Sequence, residues 1–299
     1  MRVVTIPHYL DDRTFESVIE ALQPWPPEGR VLFDARATKW ASPYGFAALL
    51  TAAEALRAGG AESPRLAVPE SDDVRSYWAK AGFFVHAAEQ FELHGKVPRR
   101  PPDTASDILL PISAVRGSED VHDVVGRIQE QAARILTGEL HLEVRATLRF
   151  SMTLSEACQN VVEHAGTGGW VAVHAFTWRK RLGRRVAVIA VCDGGIGFRA
   201  SLEPSEGRKF GDRWSDGTAL EAALIHAVSR FREPGRGQGL AAIRKYLTTW
   251  NGKISIRSGT AQLSVVPAWD DDEPLETGRP FFPGAQVQIV IPAQEPLKA

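Results

Sequence analysis

The sequence predicts two structural units, an α/β layer followed by an α+β two-layer sandwich with helices on one face of a mixed sheet. Three observations predict this division. The chain has 299 residues, which is long for one domain and short for three. Strand-like and helix-like segments alternate early in the chain, whereas grouped helices and adjacent strands follow later. The proline-dense stretch 96–107, KVPRRPPDTASD, separates the two regions because it cannot build a packed element. The predicted divisions are therefore an N-terminal unit at 1–97, a linker at 98–106 and a C-terminal unit at 107–299.

The N-terminal unit is predicted from three successive strand–helix pairs. The strands are predicted at 2–6, 30–34 and 65–68, and the helices at 11–22, 44–58 and 72–81. Glycines follow the second and third helices, as is common where helices end. Such an alternation predicts helices packed on a sheet.

The C-terminal unit is predicted from a different order of segments. The helices are predicted after an N-cap at Ser118, over about 144–165, after a capping box of Thr218 and Glu221, and at 240–250; the strands are predicted at 108–115, 170–178, 186–192, 253–257, 261–266 and 286–291. The helix assignments follow from apolar residues that recur with a period of 3.6. Helices grouped with adjacent strands predict an α+β sandwich.

The composition excludes several classes of function. Lys and Arg together number 35 and Asp and Glu 36, which removes the electrostatic case for nucleic acid or an anionic membrane surface. No apolar run approaches the roughly 18–20 residues that cross a bilayer, and the N-terminus lacks the pattern of a signal peptide. Cys158 and Cys192 form neither a disulfide framework nor a metal-ligand pair. These features predict a cytoplasmic protein without nucleic-acid or membrane partners.

The first motif with chemical content lies on the helix predicted at 144–165. Glu156, Asn160 and His164 recur every four residues, so they line a face different from the apolar one. An amide oxygen suits Mg²⁺, and a carboxylate can orient a water or accept a proton. The same row also fits a polar surface stripe, and this helix alone does not decide between the two interpretations.

The second motif follows the apolar run VAVIAVC. Asp193 ends that run, and glycines stand at 194, 195 and 197. A buried carboxylate is costly unless something pairs with it, and glycines allow a backbone to approach a flat ligand closely. The alternative is a strand followed by a glycine turn that the Asp caps.

The third motif is a glycine-rich segment that runs into a predicted helix. Gly235, Gly237 and Gly239 precede the apolar run of that helix. Backbone N–H groups at a helix N-terminus bind anions. No Gly-Lys-Ser/Thr follows, so the segment is not a Walker A loop. The alternative is a flexible loop that caps the helix.

Together, in this order and at this separation, the three motifs resemble the GHKL (Bergerat-fold) ATPases, a family that includes gyrase, sensor histidine kinases and anti-sigma factor kinases. The resemblance covers roughly 107–299 and implies ATP and Mg²⁺ as cofactors. It implies that Asn160 coordinates the Mg²⁺ and that Glu156 is the catalytic base or water-orienting residue. It also implies that Asp193 accepts a hydrogen bond from the adenine amino group.

The resemblance implies further nucleotide-binding residues. Gly195 and Gly197 would keep the loop close to the base, and Gly235, Gly237 and Gly239 would wrap the phosphates. The segment from about 199 to 217 would be a lid over the nucleotide.

Other details narrow the resemblance to one branch of the family. His164, followed by small residues, looks more like the anti-sigma factor kinases than gyrase, although a core-facing or capping role for His164 is favoured over a catalytic one. Sensor histidine kinases of the standard type are disfavoured because no phosphoacceptor helix pair precedes the domain. Ala285 stands where the family usually has a threonine, which weakens one expected contact.

The N-terminal segment VLFDARATKWASPYGFAALLTAAEALRAGG resembles the STAS domain of anti-sigma factor antagonists. Phosphorylatable members carry Asp-Ser-Ser/Thr-Gly in the loop, whereas this chain has Ser42, Pro43 and Tyr44 before Gly45. Ser42 is predicted to be a helix N-cap, with a shifted phosphoacceptor as the alternative. The unit is therefore predicted to be a degenerate STAS-like docking or autoregulatory module rather than a substrate.

These features predict a Mg-ATP-binding regulatory protein that resembles anti-sigma factor serine kinases and GHKL ATPases. The sequence does not choose between an ATPase and a protein serine/threonine kinase. One alternative is a catalytically weak, nucleotide-gated protein-binding module, and another is an interaction protein with a vestigial site. The implied partner is a protein, either a STAS-type antagonist or a sigma-like regulator, and the resemblance also admits a homodimer.

Overall fold

The N-terminal unit has the predicted alternation of strands and helices. The computed structural model describes residues 1–98, 107–179, 181–226, 228 and 239–294. The strands are β1 (Arg2–Thr5), β2 (Tyr9–Leu10), β3 (Val31–Asp34), β4 (Trp40–Ala41), β5 (Arg65–Ala67) and β6 (Glu92–His94); the helices are α1 (Phe15–Ala21), α2 (Pro43–Ala58), α3 (Asp72–Lys80) and α4 (Phe83–Gln90). Strands β1, β3, β5 and β6 form a parallel sheet in that order, and β2 pairs with β4. The sequence did not predict β2, β4, β6 or α4, because such short segments show too little periodicity.

The C-terminal unit contains the four predicted helices and a five-stranded sheet. The strands are β7 (Ile108–Val115), β8 (Gly169–Trp178), β9 (Arg184–Asp193), β10 (Lys253–Val265) and β11 (Leu275–Pro292); the helices are α5 (Ser118–Ala133), α6 (Arg145–Asn160), α7 (Gly197–Leu202), α8 (Arg208–Phe210), α9 (Asp216–Leu224) and α10 (Gly239–Thr249). Short π-helical turns (Arg134–Glu139, Val161–Ala165, Glu203–Gly207) follow α5, α6 and α7. A 3₁₀ turn, Gly211–Arg213, precedes α9.

The predicted mixed sheet is wrong for the described residues. The strand order is β10-β11-β9-β8-β7, and each of the four pairings is antiparallel. Strands β8 and β9 follow each other closely in sequence, as do β10 and β11, and such neighbours pair antiparallel because a parallel pair needs a longer crossover. The strands predicted separately at 253–257 and 261–266 are one strand, β10, with register shifts around Gly259.

Helix α9 begins earlier than predicted. Its N-cap is Ser215, whose hydroxyl accepts the N–H of Thr218 at 3.2 Å, while the Thr218 hydroxyl accepts the N–H of Ser215 at 2.8 Å. The predicted capping box of Thr218 and Glu221 is therefore wrong. Thr218 closes the box from its third helical position, a role that Glu or Gln fills more often.

The five-stranded sheet is covered on both faces. Helices α5, α6, α9 and α10 pack on one face and form the larger core. The other face packs on the N-terminal unit, mainly on α2, and sheet residues such as Trp170, Ala172 and Cys192 share one core with Phe46 and Ala48 of that helix. The predicted two-layer sandwich is therefore covered by the N-terminal unit on the sheet face that its own helices leave open. Helix α2 is apolar around most of its circumference, so it is stable when both of its sides are buried.

Ion pairs reinforce the contact between the two units. The buried Arg257 of β10 donates two hydrogen bonds to the Glu16 carboxylate of α1, at 3.1 and 3.2 Å. Arg279 donates to the same carboxylate at 2.9 Å. Because the three groups are largely removed from water, the pairing needs this close geometry to offset desolvation.

An acidic group at 270–272 lies at the same boundary and is matched by cations. Arg13 and Lys253 both pair with Asp270 and Asp272, and Arg181 also pairs with both aspartates. Charged residues in hairpin turns such as 179–185 are usually solvated. Arg181 instead completes this network, which makes it a structural residue.

In the described part of the chain, no helix is long and apolar enough to span a membrane.

Candidate functional site

A cleft lies between the C-terminal half of α6, the end of β9 and the middle of β11. Four predicted site residues line it: Glu156, Asn160, Asp193 and Gly197. Its empty space, counting open solvent at the mouth, is about 920 Å³. The fold therefore brings residues from two separate sequence motifs to one concave site.

The cleft has an apolar wall and a polar end. The wall is formed by side chains from the helical layer and the sheet, which include Val161, Val191, Phe198, Leu202 and Val287. A mostly apolar lining with a few convergent polar groups is typical of a small-molecule site.

Glu156 and Asn160 stand one turn apart on α6, as their four-residue spacing predicts. Glu163, in the π-helical turn that follows, also lines the cleft, and its carboxylate accepts a hydrogen bond from the Gln159 amide at 2.9 Å. Partial burial raises the pKa of Glu156, and the negative charge of Glu163 raises it further. A raised pKa makes the Glu156 carboxylate a better proton acceptor near neutral pH.

Asp193 is the last residue of β9 and is only 5% exposed. Its Oδ1 accepts the backbone N–H of Gly195 at 2.9 Å and that of Ala285 at 3.3 Å. Burial raises the pKa of Asp193 to about 7, although these two hydrogen bonds partly counteract the effect. Because both bonds use Oδ1, Oδ2 is left, within the described residues, to accept a donor from a ligand in the cleft.

The loop after Asp193 depends on its glycines. A Cβ at Gly195 would overlap the carbonyl oxygen of Ala165, so only glycine lets this loop lie against the turn after α6. Gly197 has a φ of +72°, and a Cβ there would lie 2.7 Å from the hydroxyl of Ser258. Larger residues at either position would displace the loop from the cleft.

Comparison with known proteins identifies the C-terminal unit. Residues 146–295 match the model of the histidine kinase-, DNA gyrase B-, and HSP90-like ATPase family. The chain belongs to this family. The match includes α6, β9 and β11, which form the cleft, and the predicted resemblance to GHKL ATPases is thereby confirmed for this unit. No curated protein and no solved structure matches the chain.

Membership of this ATPase family implies an ATP-binding domain, and the polar end of the cleft fits the metal that usually accompanies ATP. The Asn160 amide and the Glu156 and Glu163 carboxylates all offer oxygen ligands. Hard cations such as Mg²⁺ prefer carboxylate and amide oxygens. The donor set of this GHKL-type chain is therefore compatible with Mg²⁺, with Asn160 as the predicted ligand.

Two features of the cleft were not predicted from the sequence. Glu163 follows Glu156 by seven residues. This spacing places both on one helix face and could have indicated that Glu163 also lines the cleft. Ala285, noted only for lacking a threonine hydroxyl, contributes its backbone N–H to Asp193. The pairing of β11 with β9 brings Ala285 opposite Asp193, and local sequence gives no signal for this pairing.

The remaining predicted site residues have mixed outcomes. Gly239 is the first residue of α10. Gly235, Gly237 and the side chain of His164 lie outside the described residues. The segment 199–217 forms short helices and turns, and its Ser201 and Leu202 line the cleft. Its role as a lid in this ATPase stays a prediction.

Proposed function

We propose that this GHKL-type protein is an ATP-dependent regulator of the anti-sigma factor kinase type, with its STAS-like N-terminal unit as a protein-interaction domain. The observation that carries the proposal is the cleft, in which Glu156, Asn160 and Asp193 meet. These groups can recognise an adenine, approach a metal-bound phosphate chain and accept a proton. The domain division at 1–97 and 107–299, with a linker between, is part of the same proposal.

In the proposed binding mode, the adenine base lies against the apolar wall and donates its amino hydrogen to Asp193. A hydrogen bond to a charged group contributes about 1.5–3 kcal/mol, which favours adenine over guanine roughly tenfold to hundredfold. The phosphates extend towards Asn160 and the N-terminus of α10 at Gly239, where backbone N–H groups favour anions. When bound at Asn160, Mg²⁺ would neutralise phosphate charge.

Glu156 is the proposed proton acceptor for phosphoryl transfer. Its raised pKa matches it to accept a proton from the attacking hydroxyl, which belongs to water in a hydrolase and to a partner's serine or threonine in a kinase. Positioning and charge neutralisation supply most of the catalysis in phosphoryl transfer. One site can therefore serve either reaction.

The STAS-like unit is proposed to regulate the ATPase rather than to receive its phosphate. The predicted N-cap role of Ser42 is confirmed: its buried hydroxyl accepts the N–H of Gly45 at 3.0 Å. The helix that follows, α2, packs on the ATPase sheet. Burial of this loop and helix supports an intramolecular, autoregulatory role. We propose that the external partner is a separate STAS-type antagonist or a sigma-like regulator.

Replacing Asn160 by Ala is expected to remove the metal-dependent part of nucleotide binding. The wild-type chain should bind ADP more tightly with Mg²⁺ than without it, whereas Asn160→Ala should bind ADP equally weakly in both conditions. Adenosine, which has no phosphates, should bind both proteins alike. Isothermal calorimetry measures all three ligands. Absence of heat and of a thermal shift with millimolar Mg-ATP for the wild type would contradict the proposal.

Replacing Glu156 by Gln is expected to preserve nucleotide binding and to slow phosphoryl transfer about 10²–10⁴-fold, the usual contribution of a general base. γ-labelled ATP is incubated with each protein and with candidate STAS-type partners. Label on a partner serine or threonine supports a kinase, and label found only as free phosphate contradicts it. If Glu156→Gln still controls partner binding in response to ATP, the result favours the alternative function, a nucleotide-gated protein-binding module, over an enzyme.

A further inference from the structure

Helix α2 of the N-terminal unit packs directly behind the loop that carries Asp193. The backbone at Gly194 leaves room for this contact: a Cβ there would lie 3.2 Å from the Ala55 Cβ and 3.6 Å from the Thr51 Cγ2. This loop is thus in contact with α2 on one side and opens to the cleft on the other. A helix outside the matched ATPase segment 146–295 therefore forms part of the support of the base site.

Glu54, on the same helix, connects three elements at this point. Its carboxylate accepts the indole N–H of Trp170 at 2.8 Å and pairs with the Arg116 guanidinium at 2.7 Å. The guanidinium also lies over the Trp170 ring, 4.7 Å from its centroid. Arg116 follows β7 and Trp170 is on β8, so Glu54 ties α2 to two neighbouring strands of the ATPase sheet.

The link continues to Asp193 through the pairing of β8 with β9. Trp170 is opposite Cys192, and the preceding residue, Gly169, is opposite Asp193. A displacement of Trp170 would therefore be transmitted to the end of β9. Because antiparallel strands share a fixed ladder of hydrogen bonds, the position of one strand end constrains that of its partner.

Glu54 also acts on Asp193 by charge. Its negative charge adds to the burial that raises the pKa of Asp193. The ion pair with Arg116 offsets this charge in part. Among the described residues, the adjacent Cys192 thiol and the carboxylates Glu156 and Glu163, which line the same cleft, are further ionisable groups at this site.

We propose that Glu54 of the N-terminal unit is a positioning residue of the nucleotide site, which holds the Asp193 loop in place and tunes its affinity for adenine. This inference rests on the proposed recognition of adenine by Asp193. It makes the N-terminal unit a component of the site. A partner that binds more tightly when α2 is displaced would therefore change the affinity of the site for nucleotide.

The test compares adenosine binding by the full chain over pH 5.5–8.5, because adenosine carries no phosphate that titrates in this range. Ionised Asp193 accepts the adenine amino hydrogen, so affinity should rise with pH. Glu54→Gln removes the negative charge and should move the midpoint of this rise to lower pH, by about half a pH unit. Arg116→Met keeps a side chain over Trp170 but leaves Glu54 unscreened, and should move the midpoint in the opposite direction.

The opposite shifts distinguish this role from a purely structural one. A structural role predicts weaker binding and lower melting temperatures in both variants, with an unchanged midpoint, and this result would overturn the inference. Glu62→Gln is the matched control, since the Glu62 side chain is 73% exposed and belongs to the same unit. If the wild type binds no adenosine at any pH, the proposed function itself fails. If the wild type binds with a pH-dependent affinity and neither variant shifts the midpoint, only the role of Glu54 is rejected.

Discussion

Replacing Asp193 by Asn is expected to remove adenine recognition while stabilising the nucleotide-free protein above neutral pH. The Asn carbonyl oxygen should take over the hydrogen bonds from Gly195 and Ala285. The amide NH₂ then faces the cleft. Because this group and the adenine amino group are both hydrogen-bond donors, they cannot bond to each other. Loss of a charged hydrogen bond of about 1.5–3 kcal/mol predicts at least a tenfold to hundredfold weaker affinity for adenosine.

The gain in stability follows from the pKa of the buried carboxyl. Burial raises the pKa of Asp193 from 3.8 to about 7, so the folded chain holds a proton that the unfolded chain releases between these values. The free energy of unfolding therefore falls as the pH rises through this range. Asn carries no such penalty, and Asp193→Asn should be more stable than the wild type at pH 8 by on the order of 2–4 kcal/mol. Near pH 4 the two proteins should differ little.

Thermal unfolding without nucleotide at pH 5 and pH 8, together with calorimetry of adenosine binding at pH 8, measures both effects. Asp123→Asn, at an exposed position on α5, is the matched control and should change neither. Wild-type affinity in Asp193→Asn would contradict the assignment of the base-binding carboxylate. A melting-temperature difference that does not depend on pH would contradict the raised pKa.

Replacing Phe282 by Ala is expected to lower the free energy of unfolding of the whole chain by about 3–5 kcal/mol, the usual range for a buried Phe. Phe282 belongs to β11 of the ATPase sheet and is fully buried. Its ring packs edge-on against Phe15 at 5.7 Å and Trp25 at 5.5 Å, both in the N-terminal unit. The cavity would therefore open in a core that both units share.

Urea unfolding followed by tryptophan fluorescence and by far-UV circular dichroism measures the loss. Both signals should shift together, because a shared core makes the two units unfold cooperatively. Phe281→Ala is the control, since Phe281 is 43% exposed and should cost much less. Two separate transitions, with only one of them lowered by Phe282→Ala, would contradict a shared core.

The local elements, and the positions of several candidate site residues on them, were predictable from the sequence. The periodicity around 144–165 placed Glu156 and Asn160 on one helix face, and the apolar run before Asp193 placed that carboxylate at the end of a strand. Ser42 was predictable as an N-cap because a serine before a proline is typical of the start of a helix. Each of these predictions depends on interactions between residues a few positions apart.

Only the tertiary structure determined how these elements combine. The antiparallel pairing of β11 with β9 brings the Ala285 N–H to Asp193, although the two residues are far apart in sequence. The burial of α2 against the five-stranded sheet makes the N-terminal unit a cover of that sheet, and it places Glu54 against Trp170 of β8. An apolar helix shows in the sequence that it must be buried but not against what, because hydrophobic burial is non-directional and the fold alone supplies the opposing surface.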